Sequence, residues 1–175
     1  TLPSANGEAG DAEDFDAEAF ADAGADVLVS KRLDFHADSV YAVCSLNTEP
    51  PALFTAAADG SVRLWDAALG TMLFKKTLST QPFVCASSSK HAPLVALGTA
   101  DGMLRLVMVA RPSMDAQADS QEALKTVYYD KLFSGTLTQL QFHPTLPLLA
   151  AASMADGRVY ILNLRSDKIA IVATV

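Results

Sequence analysis

"AADGSVRLWD", residues 57–66, is echoed by "TADGMLRLVM" at 99–108 and by "MADGRVYILN" at 154–163. Each copy sets an Asp-Gly pair between a run of small apolar residues and a run of alternating ones, such as Val62 and Leu64 or Val159 and Ile161. Alternation with period two is the mark of a strand with one buried face, and Asp-Gly supplies the positive φ angles of a tight hairpin. The pairs Asp59-Gly60, Asp101-Gly102 and Asp156-Gly157 therefore read as three equivalent turns.

The Asp-Gly pairs are 42 and 55 residues apart, and the first separation is the period of a four-stranded repeat unit. The second is 13 longer, an excess that "RPSMDAQADSQEALK" (111–125) accounts for as a polar insertion. Ser113 is a candidate cap for a short helix in it, running through Ala123, Leu124 and Val127. Working outward from the turns, four strands per unit are expected: 39–47, 52–58, 61–66 and 71–78; then 82–89, 93–100, 103–109 and 126–133; then 136–142, 147–153, 158–164 and 167–175. "DVLVSKRLDF" (26–35) precedes them and reads as the outer strand closing a blade. Small units of this kind bury their faces only by stacking on their neighbours.

The first unit carries Phe35-His36 before its first strand and Trp65-Asp66 at the end of its third, with 28 residues between His36 and Trp65. On these residues the chain over 27–175 resembles the WD-repeat β-propellers. The resemblance implies an all-β fold, a partial propeller of about three four-stranded blades (27–78, 79–133 and 134–175) belonging to a larger ring. It also implies a buried hydrogen-bonded tetrad of His36, Thr55, Asp59 and Trp65. The later units depart from the pattern, with Val107-Met108 and Leu162-Asn163 in place of Trp-Asp. Of their tetrads only Asp101 and Asp156 remain, so apolar packing is expected to replace the polar network there.

The net charge of −7 is unevenly distributed, because residues 1–26 hold eight acids and no base. The rest is near neutral, which predicts an acidic, Ala-rich segment without a fixed fold, a linker or a motif around Phe15 and Phe20. "DAEDFDAEAFAD" lacks the glycine of a calcium loop. No apolar run reaches membrane-span length, and "TLPSANGEAG" has neither the basic nor the apolar region of a signal peptide. The chain lacks an initial Met and stops within an apolar run at Val175, so it is expected to be a piece of a longer polypeptide that supplies the remaining blades.

Catalytic constellations are missing from the sequence. His36, His91 and His143 are scattered, and there is no G-x-S-x-G elbow, phosphate loop or Cys-His nucleophile pair. Cys44 and Cys85 read as small buried hydrophobes at equivalent positions of successive first strands, reduced and unpaired. No cofactor and no metal is expected. The basic pairs Lys31-Arg32 and Lys75-Lys76 fall on outer strands, where cations protect an edge, so nucleic acid is not an expected partner.

What remains is a non-catalytic scaffold that docks other proteins of a multi-subunit complex, an expectation carried by the resemblance. Asp38, Tyr41, Gln81 and Phe83, near the starts of the inner strands, are the candidate contacts at the channel mouth, and the 111–125 insertion is a second surface. Degenerate repeats with an inserted loop and an Ala-rich acidic segment resemble in style the cilia- and flagella-associated WD-repeat proteins. That implies a cytoplasmic, cytoskeletal place in the axoneme, docking or tethering dynein. Adaptor propellers of vesicle coats, ribosome-assembly complexes and ubiquitin ligases are open alternatives.

Overall fold

The computed structural model describes residues 36–110, 123–146, 148–153, 157–164 and 169–174. All lie in the unit Leu33–Val175. The acidic segment, the 26–35 strand, Ser113 with residues 111–122 of the insertion, and Asp156 fall outside the described residues. Every described element is a strand. The first sheet holds β1 (Val40–Leu46), β2 (Ala52–Ala57), β3 (Ser61–Asp66) and β4 (Met72–Thr77); the second holds β5 (Phe83–Ser88), β6 (Leu94–Thr99), β7 (Met103–Val109) and β8 (Leu124–Lys131); the third holds β9 (Leu137–Phe142), β10 (Leu148–Ser153), β11 (Val159–Asn163) and β12 (Ala170–Thr174). In each, the strands pair antiparallel in chain order, as consecutive hairpins require.

At Leu124 and Val127, where a helix was expected, the chain is a strand. Leu124 opens β8, and Ala123 and Leu124 are 4% and 3% exposed in the core between the first two sheets. The run Thr126-Val127-Tyr128-Tyr129 is rich in β-branched and aromatic residues, and pairing along β7 satisfies its backbone. The polar insertion therefore ends before residue 123.

The three sheets repeat in detail. Each first strand carries a register shift near its start, leaving Tyr41, Val84 and Thr138 as the extra residues. Each fourth strand is shifted beside Leu73, Val127 and Val172. Bulges at matching places bend each sheet alike and keep the same faces turned to the neighbour. The register makes Val40, Phe83 and Leu137 equivalent, and likewise Val43, Ala86 and Leu140. It also corrects the cysteine alignment: Cys85 matches Ala42, whereas Cys44 matches Ser87.

Two apolar cores join the sheets. Phe54, Val62, Leu64 and Phe74 of the first meet Phe83, Val95, Leu97 and Val107 of the second. Cys85, Leu104 and Leu106 on the other face of the second meet Leu137, Leu140, Phe142, Leu149 and Leu162 of the third. Gly98 makes room for that approach, since a Cβ there would stand 3.0 Å from two Leu137 side-chain atoms. The first strands lie side by side, β1 against β5 and β5 against β9. Serines of β5 stitch them: Ser88 donates to the Ser45 carbonyl at 2.7 Å, and the Phe142 N–H donates to Ser87 Oγ at 3.1 Å.

Candidate functional site: a buried polar chain and an exposed blade face

Thr55 on β2 and Trp65 on β3 lie on the face of the first sheet turned away from the second. Trp65, 1% exposed, donates its indole N–H to Thr55 Oγ1 at 3.0 Å. Thr55 Oγ1 is 2.8 Å from His36 Nε2, and His36 Nδ1 is 3.0 Å from Ser61 Oγ and 3.6 Å from Asp59 Oδ1. The Asp59 carboxylate in turn accepts the N–H groups of Ser61 at 2.8 Å and Ala37 at 3.0 Å. With the indole N–H already on Thr55, its hydroxyl proton is best directed at Nε2. A neutral ring protonated on Nδ1 then satisfies every member.

The electrostatics agree with that assignment. Burial lowers the His36 pKa below its ordinary value, the Arg63 charge lowers it further, and Asp59 opposes both. Burial alone would raise the Asp59 pKa, but the hydroxyl and amide of Ser61 and the amide of Ala37 outweigh it and bring the value to about 2. Ser61 is the participant that the sequence reading missed. Its signal was its place, first in the strand after the Asp-Gly turn, where a hydroxyl can reach back to the turn and across to His36.

Arg63, also on this face, is 1% exposed, and its Nε and Nη1 have no hydrogen-bond partner among the described residues. Its equivalent Arg105 lies over the Tyr129 ring with 4.1 Å from Cζ to the centroid.

In the other sheets Val107 and Leu162 take the Trp65 position, and both are fully buried. The second sheet replaces the network locally. Thr99 donates to Asp101 Oδ1 at 2.6 Å and accepts the Met103 N–H at 3.0 Å, so the turn Asp acquires a partner without a histidine. The turn glycines Gly60, Gly102 and Gly157 have φ of 70°, 85° and 67°. Gly60 accepts the Leu78 N–H and Gly102 the Phe133 N–H through their carbonyls, which ties each turn to the connection leading into the next sheet.

The four nominated contact residues are not alike. Asp38 and Gln81 are exposed, and Tyr41 is 60% exposed at the bulge of β1. Phe83 is fully buried in the core between the first two sheets, so it cannot serve as an accessible contact; it anchors β5 on the preceding blade. The equivalent anchors Leu137 and Leu140 are 0% and 3% exposed, yet Val40 is 45% and Val43 63% exposed. Face positions that are covered in the second and third sheets are open in the first.

Cys44 and Cys85 are free thiols, and burial pushes their pKa values to about 11 and about 12, respectively. Neither is a nucleophile at neutral pH. Among the described residues, no group of three or more His, Cys, Asp and Glu side chains is placed to hold a metal. Among the described residues, no helix is long and apolar enough to cross a membrane.

Residues 28–66 match the family model "WD domain, G-beta repeat". Over 116 residues, 64% of this chain, the sequence is 30% identical to cilia- and flagella-associated protein 43 of Chlamydomonas reinhardtii, of which it spans 7%. Two solved structures, titled "Structure of U3-55K" and "Crystal structure of RRP9 WD40 repeats", superpose with TM-scores of 0.66 at 18% identity, covering 83% of this chain and 41% of theirs. The chain thus carries a WD40 repeat at residues 28–66, and its blades have the fold of WD40 propellers.

Proposed function

We propose that this chain is part of a non-catalytic protein-docking propeller in a cilia- or flagella-associated scaffold. The observation that carries the reading is the 30% identity to cilia- and flagella-associated protein 43, together with a blade architecture that spends its polar groups on internal bracing. A rigid sheet stack with exposed loops and edges suits display of contacts. His36, Thr55, Asp59 and Trp65 act in it as structure: they hold the first blade stiff, and partners meet Asp38, Tyr41, Gln81 and the outer strands. The test uses the full-length polypeptide containing this segment, tagged in a flagellated cell. The expected result is retention on detergent-extracted axonemes, lost when residues 36–174 are deleted while the protein stays at its normal level. Even distribution of the intact protein in the cell body, or unchanged retention of the deletion, would overturn the reading.

A further inference from the structure

β8 is the longest described strand at eight residues, and no strand covers its outer edge among the described residues. Its burial pattern is that of a displayed element. After Leu124 every residue but Tyr128 is exposed, including Val127 at 46% and Tyr129 at 55%. Outer strands ordinarily keep large apolar groups off such an edge. A register shift falls at Val127. Tyr129 is held from one side by Arg105, whose guanidinium lies 4.1 Å from the ring centroid and whose Nη1 reaches Thr126 Oγ1 at 3.4 Å. An aromatic ring pinned by an arginine loses little further freedom on contact, the property of an interface anchor.

The charges on the strand are not balanced. Lys125 and Lys131 stand near its two ends, both exposed. Asp130, the strand's single acid, is committed within it, accepting the Lys131 N–H at 2.8 Å and the Tyr128 hydroxyl at 3.4 Å. A backbone edge that no described strand covers, two exposed apolar groups and a cation near each end together specify a complementary strand.

We propose that the outer edge of β8 is a docking site for an extended segment of a partner protein, apolar at its centre and carrying a carboxylate toward each end. The segment pairs its backbone with the edge, seats an apolar side chain on Tyr129 and Val127, and matches its acids to Lys125 and Lys131. This rests on the protein-docking reading above and names its surface and partner chemistry.

The probe is a synthetic peptide of the length of Lys125–Lys131, glutamate at both ends with alternating threonine and valine between, compared with its lysine-ended counterpart. Amide NMR of the full chain, with peptide added to the limit of its solubility, is expected to shift resonances of β8 with the glutamate-ended peptide and not the other. The double variant K125E/K131E, altered only at exposed positions, is expected to weaken binding about ten-fold, the scale of two rim ion pairs, and to reverse the preference. Tyr129→Ala is expected to weaken the glutamate-ended peptide on the wild-type background and the lysine-ended peptide on the K125E/K131E background alike. The absence of β8 shifts with the glutamate-ended peptide, equal shifts with both peptides, or shifts confined to other strands would overturn the proposal. Axonemal retention of the intact protein alongside such a result would leave the docking reading standing and remove only this edge from it.

Discussion

At the scale of single residues, the first blade is held by a relay in which each group has one correct role. Thr55 is its hinge, accepting from Trp65 and facing His36. Thr55→Val keeps the shape and removes both bonds, including the acceptor 3.0 Å from the buried indole N–H. The expected cost is about 1–3 kcal/mol in denaturant unfolding of the chain, and a change within the noise would remove the relay from the account. Protonation is a second probe. His36 has a lowered folded pKa, so the stability that comes from its neutral form is fully present above the ordinary value of 6.5 and is lost as pH falls through the lowered value. Asp59 contributes in a separate window. Its stabilisation is present above the ordinary 3.8 and is lost only as pH falls through about 2. Around the imidazole stand Asp59, Arg63 and Lys75. Unfolding midpoints should therefore fall on acidification below about pH 6.5. His36→Gln should be less stable at neutral pH with a flatter profile; parallel profiles would refute the assignment.

At the scale of elements, the Asp-Gly turns are more than hairpin tips. A Cβ on Gly60 would run into the Ser79 carbonyl, and one on Gly102 into the carbonyls of Phe133 and Gly135. Around Gly157 there is open space within 4 Å. All three have positive φ, so alanine carries a backbone penalty of about 1–2 kcal/mol at each. Only the first two add a steric collision with main chain that has no rotamer to yield. Gly102→Ala is thus expected to lower the thermal midpoint well beyond Gly157→Ala. Equal effects would show that the turns are not wedged beneath the connections between blades.

At the scale of the molecule, the stacking of faces governs behaviour. The first blade leaves Val40 and Val43 exposed where its successors bury Phe83, Leu137 and Leu140. In the third blade Leu149 is fully buried against the second. The unmet surface therefore includes the side of β1 that carries Val40 and Val43, although Thr55, Arg63 and Trp65 on the same face are buried. Residues 27–175 expressed alone are expected to self-associate, with light scattering reporting species above the monomer and Val43→Thr reducing them. A monodisperse monomer with cooperative melting would show that three blades suffice.

The sequence by itself determined the strands β1 to β12, their order and the turns at Asp59-Gly60 and Asp101-Gly102, because period-two alternation and Asp-Gly chemistry are local properties that survive in any context. It also placed His36, Thr55, Asp59 and Trp65 within one unit. Tertiary structure decided the rest. Whether Phe83 faces a partner or a core depends on the sheet before it, and a one-residue bulge reverses which side chains face in. The offset between Cys44 and Cys85, the recruitment of Ser61, and the start of β8 at Leu124 where a helix was expected all follow from register between strands distant in sequence. Register is fixed by packing of one sheet on another, and no stretch of sequence read alone contains its partner.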